Sequence, residues 1–151
     1  MLVVREARSS DRDFVFRLIE RFLGTTPEWR SDGEVVAGTQ REFERAFTAK
    51  KTNEVMLICE DSHAERVGFA WVVTEHDFFT REPHAHVSEI AVLRDGQGAG
   101  RHLMDAAESW AHQQGYRYIS LNVQGRNEGA HGFYQRLGYA VEKIAYTKLL
   151  R

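Results

Sequence analysis

The stretch VLRDGQGAGRHLM, residues 92–104, sets Gly96, Gly98 and Gly100 at alternating positions between an apolar run and an amphipathic one. Glycine at this density is costly in chain entropy, so the loop calls for a reason. One reason is an anion cradle. A strand-to-helix turn leaves backbone N–H groups unpaired at the positive end of a helix, and glycines let a phosphate touch them. A turn rich in glycine but without a ligand is the competing reading. Two nucleotide loops can be tested directly. A P-loop needs Lys then Ser or Thr after its last glycine, and Arg101 and His102 stand there instead. The dinucleotide pattern G-x-G-x-x-G fails too, because position 103 is Leu counted from Gly98 and position 101 is Arg counted from Gly96.

Other residues could carry chemistry with less support. His84 and His86 alternate on one strand face, which would suit a metal, yet no third ligand type stands nearby. They are expected to be exposed or hydrogen-bonded, and no metal site is expected. Cys59 sits in an apolar strand and reads as a buried thiol rather than a nucleophile. Trp29, Phe22, Phe69, Trp71 and Phe78 could line a pocket, though such aromatics usually build cores. Glu28, Asp32 and Glu44 could attract a cation, though scattered helix charges usually face solvent.

The chain has 151 residues, enough for one domain over 1–151 with a sizeable core. Its 20 basic and 22 acidic residues argue against nucleic acid as a partner. No apolar run reaches the roughly 18 residues of a membrane span, and no basic-then-apolar leader opens the sequence. The single cysteine allows no internal disulfide and is consistent with a cytoplasmic location.

These residues must be positioned by a recognisable order of elements. LVVREA (2–7) reads as a strand. Val15, Leu18, Ile19 and Phe22 then follow at helical spacing, with Ser10 and Asp13 as a cap and Gly24 as a stop. TTPEWRSDGE reads as turn, and Thr39 with Glu42 is expected to cap a second helix carrying Phe43, Ala46 and Phe47. NEVMLICE and RVGFAWVVTE form a hairpin through DSHAE; HDFFTREPHA is a loop and HVSEIAVL a strand. A helix follows the glycine loop, with Leu103, Ala107 and Trp110 inward. YRYISLNVQ is a strand, NEGAHGFYQRLG a helix, and YAVEKIAYTKLLR a closing strand or pair of strands. The order predicts a mixed sheet with helices on both faces.

The segment LNVQGRNEGAHGFYQRLGY adds Asn127, Ala130, Phe133-Tyr134 and Leu137-Gly138-Tyr139 at fixed spacing behind the glycine loop. Together with SEIAVL and GQGAGRHLM, this resembles the GCN5-related N-acetyltransferase (GNAT) superfamily. The diagnostic part runs from about residue 85 to 140. Residues 1–84 match in element order only. The resemblance implies an α/β fold with a mixed, mostly antiparallel sheet of six to seven strands, splayed between strands 4 and 5, with about four helices on both faces. It implies acetyl-CoA as co-substrate, its pantetheine arm beside Glu89, Ile90, Ala91, Val92 and Leu93. The pyrophosphate would rest on the N–H groups of Gln97, Gly98, Ala99, Gly100, Arg101 and His102. Asn127 would orient the pantetheine or the loop after the fifth strand, Ala130 and Phe133 would also bind the cofactor, and Tyr134 would lie near the thioester sulfur.

Magnitudes sort the chemistry. A lysine-like amine of pKa about 10.4 is free in roughly one part in 2,500 at pH 7, about 4.6 kcal/mol uphill, so a base helps. Glu89 is the candidate, provided that burial raises its pKa or a water relays the proton; a structural ion pair is its other reading. Tyr134 resembles the family's general acid. A phenol near 10 and a thiol near 8.5 differ by about 2 kcal/mol against complete prior transfer, so its role is a hydrogen bond that strengthens as charge develops on sulfur. A core aromatic is the alternative. Asp95 departs from the family, which usually has Arg or Gln at that place. An acid about 6 Å from a phosphate would cost roughly 2–3 kcal/mol at effective dielectric 20, so Asp95 is expected to turn away and to cap the helix or pair with Arg94 or Arg101.

The expectation is therefore an acetyl-CoA-dependent N-acetyltransferase acting on a primary amine of a small molecule or peptide, with a homodimer possible. Two alternatives stay open: an N-acyltransferase with a different acyl group, and a non-catalytic acyl-CoA-binding regulatory module.

Overall fold

The computed structural model describes residues 1–151. Strand β1 (Val3–Glu6) leads through a 3-10 turn (Ser9–Asp11) into α1 (Arg12–Arg17), which tightens into a second 3-10 turn (Leu18–Phe22). Then come α2 (Asp32–Thr48), β2 (Val55–Glu60), β3 (Arg66–His76), β4 (Pro83–Val92), α3 (Ala99–Gln113), β5 (Ile119–Leu121) and α4 (Glu128–Arg136). The sheet order is β1-β2-β3-β4-β5, antiparallel except for the parallel β4–β5 pair. The expected mixed, mostly antiparallel sheet and four helices are present.

The strand count is five rather than six to seven. Residues 140–151 form no helix or strand, and Val141, Ile144, Tyr146 and Leu149 stand exposed. The alternating composition suits a strand, but a strand exists only by pairing, and none of these residues enters the ladder. No helix is long and apolar enough to cross a membrane.

Two cores flank the sheet. On one face α3 lays Ala99, Leu103, Met104, Ala107 and Ala111 on Val55, Leu57, Cys59, Ala70, Val72, Ala85 and Val87. On the other, α1 and α2 bring Phe14, Val15, Leu18, Ile19 and Phe43 onto Met56, Ile58, Phe69, Trp71 and Ala91. Phe43 is fully buried and meets Phe69 and Trp71 edge-to-face, the geometry that aromatic quadrupoles favour.

Several boundaries differ from the sequence expectation for local reasons. Ser31, not Thr39, caps α2: Ser31 Oγ accepts from Glu34 N at 3.1 Å and Glu34 Oε2 accepts from Ser31 N at 2.9 Å. That capping box lies inside a stretch that reads as turn. The Thr39 hydroxyl instead donates back to Val35 O within the helix. Ser10 and Asp13 make no cap; Asp11 accepts from Arg8 N at 2.7 Å. The loop after β3 shrinks to residues 77–82, where the Asp77 carboxylate gathers the N–H groups of Phe79 and Thr80.

Asp11 is fully buried and receives the guanidinium groups of Arg5 and Arg66, tying β1 and β3 to the start of α1. Burial opposes its ionisation, yet Arg5, the Arg8 N–H and Arg66 together hold the carboxyl well below the usual aspartate range. A depressed native pKa stabilises the fold above the ordinary value of 3.8, and that stabilisation is lost as pH falls below it. Asp11→Ala is expected to destabilise by about 3 kcal/mol at pH 7, the scale for breaking a buried ion pair, measured by urea unfolding.

Candidate functional site

The glycine loop separates into distinct tasks. Gly96 and Gly98 have φ of +77° and +86°, a left-handed backbone that L side chains resist. Gly98 is the N-cap residue of α3. Gly100 has a different reason: an added Cβ would stand 3.2 Å from Phe133 Cζ, so its bareness admits α4. None of the N–H groups of Gln97, Gly98, Ala99, Gly100 and Arg101 donates to a backbone carbonyl. The His102 N–H does, to Gly98 O at 3.1 Å, and its ring Nδ1 lies 2.9 Å from the same oxygen. The open donors therefore end at Arg101, one residue short of the expected set. Five free N–H groups at the positive end of a 15-residue helix fit a pyrophosphate.

Asp95 does not pair with Arg94 or Arg101 and caps nothing. Its carboxylate meets Arg21 Nη2 at 3.0 Å while remaining largely exposed, so it turns outward toward the 3-10 turn after α1.

Beside this cradle the sheet opens. β4 and β5 pair only through Ala85↔Ile119, His86↔Ser120 and Val87↔Leu121. β4 continues to Val92 against β3 alone, so its far edge over Glu89, Ile90, Ala91 and Val92 has no ladder partner. Leu93 lies just past the strand and still donates to Val67 O at 2.8 Å. An extended chain could add to that edge by backbone hydrogen bonds.

A bulge sits where the strands part. Trp71 pairs Glu89 and Val72 pairs Val87, leaving Ser88 as an extra residue on β4. The bulge reverses the alternation of faces. Val87 packs in the α3 core, whereas Ala91, also odd-numbered, packs in the α1–α2 core. Glu89 is thereby turned to the α1–α2 face, while Tyr134 on α4 packs against the α3 core. The two groups approach the gap from opposite faces of the sheet.

Neither side chain has a hydrogen-bond partner within the protein, and both are only partly buried. Burial pushes the Glu89 carboxyl up to about 7. Burial, with the Glu89 charge nearby, pushes the Tyr134 phenol up to about 12. Near neutral pH Glu89 can thus accept a proton, and Tyr134 keeps one to donate. No Arg or Lys neutralises Glu89, so its structural ion-pair reading fails.

α4 sets Tyr134 by capping and packing. Asn127 Oδ1 accepts from Ala130 N at 3.2 Å, closing the first turn, so the Asn-to-Ala spacing seen in the sequence is a helix cap. Phe133 rests on Gly100 and meets the Tyr134 ring at 5.0 Å; Tyr134 meets Tyr139 at 5.9 Å. Tyr139 OH donates to Glu108 on α3 at 3.1 Å, which ties the end of α4 down.

The remaining candidates separate. Phe69 and Trp71 are core and Phe22 packs on Phe43, while Phe78 is exposed beside Phe79 at the tip of the β3–β4 hairpin. Glu44 is taken by Arg12. Cys59 is fully buried, and burial pushes its thiol up, so it is no nucleophile. His84 and His86 are both buried, on the face of β4 that carries Glu89. His86 is hydrogen-bonded to Ser120, as one of the two expectations had it, while the buried Nδ1 of His84 has no partner. Their alternation is visible in the sequence, but their burial requires the pairing with β5.

The Acetyltransferase (GNAT) family model matches residues 13–139 of the chain. The protein belongs to the GNAT family. Among curated relatives, a mycothiol acetyltransferase from Propionibacterium freudenreichii is 34% identical over 89 residues, 57% of this chain and 28% of that protein. The chain thus spans well under half the length of that relative. Among solved structures, a putative acetyl transferase from Pyrococcus furiosus superposes with a TM-score of 0.77 at 20% identity, over 99% of this chain and 100% of that one. The aminoglycoside N-acetyltransferase AAC(6')-Iy in complex with CoA superposes at 0.74 and 18% identity, over 99% and 95%. At these identities the structural likeness shows the shared GNAT fold.

Proposed function

We propose that this GNAT protein transfers the acetyl group of acetyl-CoA to a primary amine of a small molecule or peptide, by direct attack while both are bound. The observation that carries this reading is the pair Glu89 and Tyr134, two unpartnered titratable groups reaching one gap from opposite faces of the sheet. The N–H groups of residues 97–101 would hold the pyrophosphate, and the open edge of β4 from Glu89 to Val92 the pantetheine arm. Bound there, acetyl-CoA supplies the activated acyl group.

Glu89 takes a proton from the attacking amine on the α1–α2 side. With its carboxyl near 7 rather than near 4.5, the uphill transfer from an amine of pKa about 10.4 falls from roughly 8 to roughly 5 kcal/mol. Tyr134 donates its phenolic hydrogen bond toward the departing sulfur on the α3 side. A phenol near 12 is too weak an acid to protonate a thiolate beforehand, so its contribution grows with the charge on sulfur. Separate faces keep the base from quenching the acid. The paired base and acid favour an enzyme over a regulatory module, which would need neither.

The test is acetyl-CoA-dependent thiol release against polyamines, aminoglycosides, amino acids and peptides. Release well above hydrolysis with at least one amine is expected; hydrolysis alone with every amine would leave the binding-module reading ahead. Asp95→Arg would add positive charge at the mouth of the cradle for the loss of one exposed ion pair worth at most about 1 kcal/mol. It is expected to tighten acetyl-CoA binding several-fold by calorimetry; weaker binding would mean that Asp95 and Arg21 hold the loop in shape.

A further inference from the structure

Glu89 solves one problem and creates another. A carboxyl that takes a proton in a half-buried gap must shed it before the next turnover, and it has no hydrogen-bonded neighbour to receive it. The same face of the sheet holds a polar row leading outward. Cross-strand pairs share a face, so His86 opposite Val73 and His84 opposite Glu75 lie on the α1–α2 side, as does Glu89 opposite Trp71. His86 Nδ1 lies 2.8 Å from Ser120 Oγ, in the last pairs before β4 and β5 separate, and 3.4 Å from Glu75 Oε1. His86 Nε2 has no partner and, unlike His84 Nδ1, is not sealed from solvent. Glu75 is half-exposed at the outer end of this row.

We propose that His86, oriented by Ser120 and Glu75, is the positioning and relay residue that clears the proton from Glu89 to solvent. This rests on the acyl-transfer reading above. The amine N–H bond breaks and an O–H bond forms on Glu89. That proton passes through bridging water, along the two register positions (about 7 Å of rise) that separate the residues on β4, to the lone pair of His86 Nε2. His86 then releases its Nδ1 proton toward Glu75 and bulk water, and the tautomer resets as the ring exchanges with solvent. No electrons change hands and no co-reactant is needed.

The groups that face His86 set its state. Burial, His84 on β4 and Lys143 in the C-terminal segment disfavour its charged form, while Glu75 on β3 favours it; Ser120 on β5 is neutral. The net effect lowers its pKa, so His86 is neutral at pH 7 and free to accept. His84 stacks on Tyr118 at 4.6 Å with its Nε2 at 3.9 Å from Glu75, and packs the outer end of the row.

The test uses the full chain and an amine that the wild-type protein acetylates with matched thiol release. His86→Gln is expected to lower kcat about tenfold, below the 10²–10⁴ of a group acting directly on the reacting atoms, with acetyl-CoA affinity unchanged. Added imidazole should restore much of that loss, which a merely structural role would not allow. Glu75→Gln, at a half-exposed position, should shift the pH profile of kcat without changing the melting temperature. Unchanged kcat in both variants, or a loss in His86→Gln that imidazole does not relieve, would overturn the relay. If the wild-type protein acetylates no amine, the acyl-transfer reading itself fails, and the relay falls with it.

Discussion

Tyr134→Phe is expected to lower kcat about 100-fold, the lower range for loss of a positioned proton donor, while acetyl-CoA binds within two- to threefold of wild type. The ring packs between Phe133 and Tyr139, and phenylalanine preserves those contacts. The hydroxyl has no partner in the protein, so removing it breaks no internal hydrogen bond and leaves no buried group unsatisfied. What the proposed reaction would lose is a hydrogen-bond donor to the departing sulfur, an interaction made chiefly in the transition state, which would appear in kcat rather than in affinity. Stopped thiol-release kinetics and calorimetric titration with acetyl-CoA measure the two quantities. Unchanged turnover would return Tyr134 to a packing role.

The second large effect is at Glu89. With a carboxyl near 7, Glu89 acting as the proposed base would be protonated and idle at low pH, so wild-type kcat/KM should rise through a midpoint close to that value. Glu89→Gln should lower kcat/KM at pH 8 by about 100-fold and flatten that limb. The same substitution should change stability with the opposite sign. A carboxyl whose native value exceeds the ordinary 4.5 binds its proton more tightly folded than unfolded. Its full contribution is therefore present below 4.5 and is lost as pH rises toward 7. A gap of about 2.5 units corresponds to roughly 3 kcal/mol, so Glu89→Gln should melt higher than wild type at pH 8, and the difference should vanish near pH 4. A variant both slower and more stable would mark Glu89 as a group held at the expense of the fold. A flat wild-type profile would contradict its role as base.

Part of the site is legible in the sequence because its causes are local. The glycine loop needs its backbone at left-handed φ at Gly96 and Gly98, and the Asn127–Ala130 cap lies within a single turn. The Phe133 contact that explains Gly100, by contrast, joins two helices 33 positions apart and is not legible in either segment. The face on which Glu89 lies is not legible there, because the Ser88 bulge that turns it is defined by the register with β3. The partner of Asp95 is 74 positions away, and the burial of His84 and His86 depends on the short parallel pairing with β5. The Ser31–Glu34 box has a readable spacing but is hidden among turn residues. The C-terminal segment shows the converse: its composition suits a strand, and composition alone supplies no partner edge.

Mixing the protein at saturating acetyl-CoA with the best amine of the panel, and quantifying free thiol and acetylated amine by mass spectrometry, tests the central claim most directly. Wild type should yield thiol and N-acetylated amine in equal amounts, whereas Tyr134→Phe and Glu89→Gln should bind acetyl-CoA yet form both far more slowly. Thiol without acetylated amine, or equal product from all three proteins, would contradict the account.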